Sequence, residues 1–497
     1  MLPNSFNLKI QIITLFLFCA VIFVSCKKDK TAEDGRQQNT SIGLLTNWVL
    51  ASTPLDQVSP GMFPESEPGS GLDYRKNVGK LAWYSIDIYY YSVDGSYFLP
   101  TPYSPEQLSD HYVRIVKSRE VFPLYPEPTN IETFLPVLNL AFYPGERGPY
   151  NYDAFPTSYS KGISADGTLT DPSSRWGGIM RKIYTPSDIY DPIIDDYKME
   201  AIEFILLDPF IYKPGHSGGD LYINIGDLSE DVLRDGRLSI ESGLPGSQNV
   251  TGVDTTIWGR VPIELPLVYA FSSNYDARPF QDVGFDGLGD EDERNFFRNS
   301  YISVIENLYG IESGAYKQAV ADPSADNFIH HWDSRFNNLQ SPILERYLSF
   351  NGMDGNSPHQ SQLMATTLPD SEDFNRTTTL QTDEKYFQYR ISLRPSDMIS
   401  GSNYIVSVNK VDVLLPDNTT GTVNWYTFRI PINSAERHAF GGITESDNYK
   451  MIRIFFKNFN EPVICRFAQI SSNRTLKWPM SKSLADLHFF NLWFLSS

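Results

Sequence analysis

Residues 282–293 read DVGFDGLGDEDE, and their types and spacing are those of a loop that holds a hard cation. Laid on the twelve-position calcium loop of the EF-hand type, Asp282 takes position 1, Asp286 position 5 and Gly287 the sharp turn at 6. Asp290 then falls at position 9 and Glu293 at position 12, and the backbone carbonyl of Leu288 serves position 7. Calcium takes six to eight oxygen ligands, and such spacing lets one short loop wrap the ion. Position 3 is Gly284, which brings no side-chain oxygen, so one ligand is missing. A helical pattern follows the loop, but Arg278-Pro279 precedes it, giving a loop and one helix. The competing reading is a solvated acidic turn whose glycines only satisfy the backbone.

Three other groupings invite chemistry. Gly215-His216-Ser217-Gly218-Gly219 spells G-x-S-x-G, which in esterases lifts a serine on a strand–turn–helix elbow. Pro214 precedes it and an alternating, strand-like DLYINIGDL follows, so a polar hairpin loop explains it better. Asp188, Asp191, Asp195, Asp196, Glu200 and Glu203 supply the carboxylates a glycosidase needs, but an acidic solvated face has the same composition. His330-His331-Trp332-Asp333 offers two imidazoles, yet neighbours on a strand point to opposite faces and no third zinc ligand stands at a metal spacing. An exposed loop is the expectation there.

The elements that must position these residues are mainly strands. The chain has 497 residues with 29 Tyr, 31 Phe, 33 Gly and 33 Pro, a mixture that favours strands joined by turns. Strand patterns run over 81–91, 137–143, 201–207 and 221–225, then over 386–393, 404–415, 422–432, 451–456 and 462–470, with a hairpin connection at 418–421. Helical patterns cover 227–235, 291–308 and 341–350. Strand clusters at both ends with helices between them predict a mainly β fold: an antiparallel β-sandwich of jelly-roll or galactose-binding-like type with a few inserted helices. The organisation expected is a signal peptide at 1–25, a lipid-anchored tether at 26–46, a β-rich region with helical insertions at 47–320, a second sandwich portion at 321–472, and an atypical tail at 473–497.

Lys9 and the apolar run 10–25 fit a secretory signal, because the run is shorter than the roughly 20 residues a bilayer span needs. Val24-Ser25-Cys26 resembles a bacterial lipobox, which makes Cys26 the expected lipidation site. Cys19 lies in the signal, so Cys465 remains alone, and alternation around it predicts a buried thiol. The net charge of −19 lacks the basic face that nucleic acid requires.

Several long stretches resemble one family: WVLASTP (48–54), LAWY (81–84), VLNLAFYPGERGPYN (137–151), RWGGIMRKI (175–183), EFILLDPF (203–210) and GGDLYINIGDLSEDVLRDGR (218–237). WGRVP (258–262), the loop at 277–297, ILERYLSFNG (343–352) and YFQYRISLRPSDM (386–398) continue the series. In this order they resemble an internal region of SprA, the outer-membrane translocon of type IX secretion in gliding Bacteroidetes. The resemblance spans about 48–472 and carries no catalytic signature. It implies a non-enzymatic role in export and motility, with secretion-system or cell-surface proteins as partners and the outer membrane reached through the lipid anchor. Relatives of this kind are several times longer, which leaves open a detached domain, a subunit completed by a neighbouring gene product, or a truncated translocon. A carbohydrate-binding jelly-roll lipoprotein is the alternative, and an exposed row of aromatic rings on one sheet would favour it.

Overall fold

A computed structural model describes residues 37–41, 48–55, 61–67, 69–92, 101–124, 132–183, 197–248, 251–352, 354–357 and 366–476. The signal, Cys26, the tether apart from 37–41, Asp188 to Asp196, and the tail from 477 onward lie outside the described residues, and 37–41, expected as tether, form a strand.

Two antiparallel sheets face each other. The strands used below are β1 (Val49–Leu50), β2 (Gly79–Tyr84), β3 (Leu138–Arg147), β4 (Trp176–Lys182), β5 (Tyr197–Leu207) and β6 (Gly219–Asp227). The later ones are β7 (Lys385–Leu393), β8 (Ile405–Leu414), β9 (Thr420–Pro431), β10 (His438–Ala439), β11 (Met451–Lys457) and β12 (Val463–Leu476). One sheet runs β8-β9-β5-β12-β3-β2 and the other β10-β7-β6-β11-β4-β1. Both sheets therefore mix strands from before and after residue 320. The expected boundary at 320/321 does not separate two sandwiches, because the pairings β6–β7, β5–β9 and β3–β12 all cross it.

Alternation decides which residues meet between the sheets. Along β11, Ile452, Ile454 and Phe456 share one face. Phe456 stacks on Phe142 of β3 at 5.8 Å between ring centroids. On the facing sheet Leu140 pairs with Cys465, whose thiol is fully buried as alternation requires. Phe204, Phe428 and Phe467 extend this apolar layer.

The outer faces are covered as well, which is why β4, β6 and β11 are buried on both sides. Phe63 packs edge-on against Trp176 and Phe455. Beside them Arg453 makes a two-pronged pair with Glu384, and both are buried. Over the other sheet, Tyr84, Tyr90, Trp332 and Tyr347 close a second cluster on Ala82 and Ala141.

Several local expectations are corrected. The strand at 81–91 stops at Tyr84, and a 3-10 turn, Ile88–Tyr91, follows. The helix over 227–235 does not form. Carboxylates capture N–H groups within it instead: Glu372 accepts from Val232 and Leu233, and Asp231 accepts from Asp235. A helix cannot form when its donors are bound elsewhere. Within 341–350 only one turn, Ile343–Arg346, is helical. The strand character expected to end at 472 continues in β12 to Leu476. The hairpin at 418–421 joins β8 to β9. Among the described residues no helix is long and apolar enough to cross a membrane.

Candidate metal centre

The loop singled out in the sequence leads into α1 (Asp290–Phe296), which passes through a π turn at Arg298–Ile302 into α2 (Ser303–Tyr309). Gly289 caps α1 without a side-chain bond, while Asp290, Glu291, Asp292 and Glu293 load its first turn with negative charge. This segment is fixed to the sandwich through the loop after β3. There Tyr152 packs on Phe297 at 4.4 Å and edge-on against Tyr301 at 5.5 Å. α3 (Gly314–Ala321) follows, and the turn after it returns two more aspartates to the loop.

That turn, residues 322–327, is where the site closes. Ser324 donates its N–H to Glu293 Oε2 at 3.0 Å and its hydroxyl to Asp286 Oδ2 at 2.6 Å. Its carbonyl accepts from Tyr150 N–H at 2.6 Å, and Tyr152 Oη lies 2.8 Å from its hydroxyl. Arg147 Nη2 donates to the Pro323 carbonyl, and the guanidinium lies over the Tyr301 ring. Asn327 Nδ2 donates to Asp290 Oδ1 at 3.0 Å. Tyr150 and Ala325 hold φ values of 61° and 55°, a left-handed conformation that costs a side chain energy and needs firm surroundings.

Two triads result. One ligand atom each from Asp286, Glu293 and Asp326 lies within 4.8 Å of the others, and the same holds for Asp290, Glu293 and Asp322. Glu293 belongs to both. Burial, with the neighbouring carboxylates adding to it, raises the pKa of Glu293 and Asp326 well above the usual carboxylate range and brings Asp286 to about 8. Burial also raises Asp290 and Asp322, with the guanidinium of Arg147 pulling Asp322 the other way.

Of the five residues read as ligands, the structure brings Asp286, Asp290 and Glu293 together. Leu288 buries its side chain, and its N–H donates to Asp286 Oδ1 at 3.0 Å. Asp282 is held elsewhere: its Oδ2 accepts from Arg278 Nε at 2.8 Å, and its Oδ1 from Ser357 N–H and the Thr366 hydroxyl. Asp322 and Asp326 fall outside the loop's spacing, some thirty residues beyond it. Only the Pro-Ser turn in ADPSADN (321–327) signals that the chain doubles back there.

The remaining motifs occupy structural posts. Ser217 lies exposed in the crossover between β5 and β6, which belong to different sheets, so the segment is not the hairpin loop expected. His216 accepts from Gly218 N–H and reaches the Pro462 carbonyl. Glu203 pairs with Arg429 on the neighbouring strand. The loop at 330–333 is not exposed as expected: His331 is buried with Nδ1 3.0 Å from Tyr90 Oη, and desolvation brings its pKa to about 2. The largest buried rings, Trp83, Trp176, Trp258 and Trp425, are core, and among the described residues no row of exposed aromatic rings lies along a sheet face.

A family model, SprA_N, described as a motility related/secretion protein, matches residues 300–483. The match agrees with the resemblance drawn from the motifs, and it covers Asp322 and Asp326 together with β7 to β12. No curated protein matches the chain.

Proposed function

We propose that the protein is a non-enzymatic cell-envelope lipoprotein that serves type IX secretion or gliding motility through protein–protein contacts. The match of residues 300–483 to a motility related/secretion family carries this reading. The matched segment supplies strands to both sheets, so the family signature lies in the frame of the sandwich and not in an appended piece. In this reading Cys26 takes the lipid and holds the domain at the outer membrane or cell surface. A single acyl chain binds membranes only marginally, so stable anchoring needs fuller acylation or partner contacts. Ser217 stands where no strand–turn–helix elbow lifts it, which favours contact over acyl chemistry.

The test is deletion of the gene in its own bacterium, with restoration by the full chain or by Cys26→Ser. Colony spreading and the secreted proteome are the readouts, and metabolic labelling with a fatty acid reports the anchor. Loss of spreading or secretion that the full chain restores is expected, with labelling absent from the Cys26→Ser chain. Unchanged spreading and secretion after deletion would overturn the role, and absence of label on the wild type would overturn the anchor alone.

A further inference from the structure

The five carboxylates around Glu293 carry more oxygen than the protein satisfies. Both carboxylate oxygens of Asp326, Oε1 of Glu293 and Oδ1 of Asp322 are buried and have no hydrogen-bond partner among the described residues. Asp326 is 1% exposed and Glu293 is fully buried. Among the described residues no lysine or arginine forms an ion pair with any of the five, although Asp282, next along the loop, has one. An unpaired buried carboxylate is among the costliest groups a fold can contain, and native structures resolve it by a counter-charge or a metal.

We propose that this cluster binds calcium, with Asp286, Glu293 and Asp326 as direct ligands and Asp290 and Asp322 joined to them through the shared Glu293. The donor set is all oxygen, which suits a hard cation and not zinc or copper. It is also irregular and rich in carboxylates, which suits calcium better than magnesium with its strict octahedron. The ligand set differs from a continuous twelve-residue loop in one informative way. Gly284, at the position where the sequence lacks a ligand, has φ +70°, and a Cβ there would fall 2.2 Å from Asp326 Oδ2. The missing side chain is what admits an aspartate from the distant turn. The ion would thus join the loop, the first turn of α1 and the 322–327 turn, which Arg147, Tyr150 and Tyr152 tie to the end of β3. This inference does not rest on the secretion reading.

Terbium luminescence on the purified, folded chain tests it directly, since Tyr150 and Tyr152 lie close enough to sensitise a lanthanide at these ligands. The wild type should give sensitised emission that calcium displaces. Its unfolding midpoint should rise by about 3 °C when calcium is raised from chelated levels to a hundred times Kd. Asp326→Asn should lose both responses and Asp282→Asn should keep both. If Asp326→Asn does not fold, Asp322→Asn takes its place and should weaken terbium binding at least tenfold. Absence of sensitised emission in the wild type would overturn the site. So would retention of both responses by Asp326→Asn, or their loss in a folded Asp282→Asn chain, which would restore the continuous loop.

Discussion

Residues 282–293 touch two groups of buried carboxylates that solve the same electrostatic problem in opposite ways. In the first group, Glu241 accepts the N–H groups of Val283, Gly284 and Asp370. Asp282 takes Arg278, Ser357 and Thr366, and Asp370 takes Gly355 N–H at 2.6 Å. Each acid serves as a clip for backbone that has no sheet partner. In the second group, Asp286 and Glu293 are partly engaged by Ser324, and among the described residues Asp326 has no donor. Residue type and burial are alike in both. What separates a clip from a ligand is whether amide donors face the oxygens. Counting acidic residues along a loop cannot make that distinction.

The sharpest way to break the comparison is Glu241→Ala. It strands three buried N–H groups, each costing about 1–3 kcal/mol, so the loss should be about 3 kcal/mol or more by urea unfolding. The loss should be the same in calcium and in chelator, and a strong calcium dependence would merge the two groups into one. Asp282→Asn comes next, with a loss of about 1–2 kcal/mol as the charge-assisted bond from Arg278 weakens. Asp326→Asn in chelator should hold stability or raise it by up to about 1 kcal/mol, since it removes like-charge repulsion and no hydrogen bond. A loss above about 2 kcal/mol there would make Asp326 a clip.

The smallest effect concerns Glu230, a buried acid of neither group, which accepts from Asn375 N–H and Nδ2. Burial raises its pKa to about 8. The folded chain then keeps a proton that the unfolded chain releases above its ordinary value near 4.3. Its contribution is therefore present in full below that value and fades as pH rises through 8. Glu230→Gln should flatten the decline of the midpoint between about pH 5 and 8, and an unchanged slope would assign that decline to other groups.

The sandwich was legible because its strands are short apolar runs rich in aromatic and β-branched residues, from LAWY at 81–84 to VICRF at 463–467. Three of the five carboxylates were legible too, since Asp286, Asp290 and Glu293 carry loop and helix spacing. Asp326 was not, because its place depends on α3 and a turn bringing it back to a glycine that leaves it room. The helix expected at 227–235 fails for a related reason. Its apolar spacing was real, but Glu372, far along the chain, had claimed the amides. Long-range acceptors override local propensity and write nothing into the local sequence.

The place of β12 has a consequence for the order of events when the chain folds. It is the last strand of its sheet to be synthesised, yet it lies in the middle, pairing with β5 on one side and β3 on the other. Until residues near 470 emerge, β2–β3 and β8-β9-β5 are two fragments with no shared hydrogen bonds, each exposing a raw edge. Closing the sheet is a late event of high contact order, and such topologies fold slowly. The sheet thus closes only when nearly all of the chain is available, and truncation before 463 would leave both fragments with an unpaired edge.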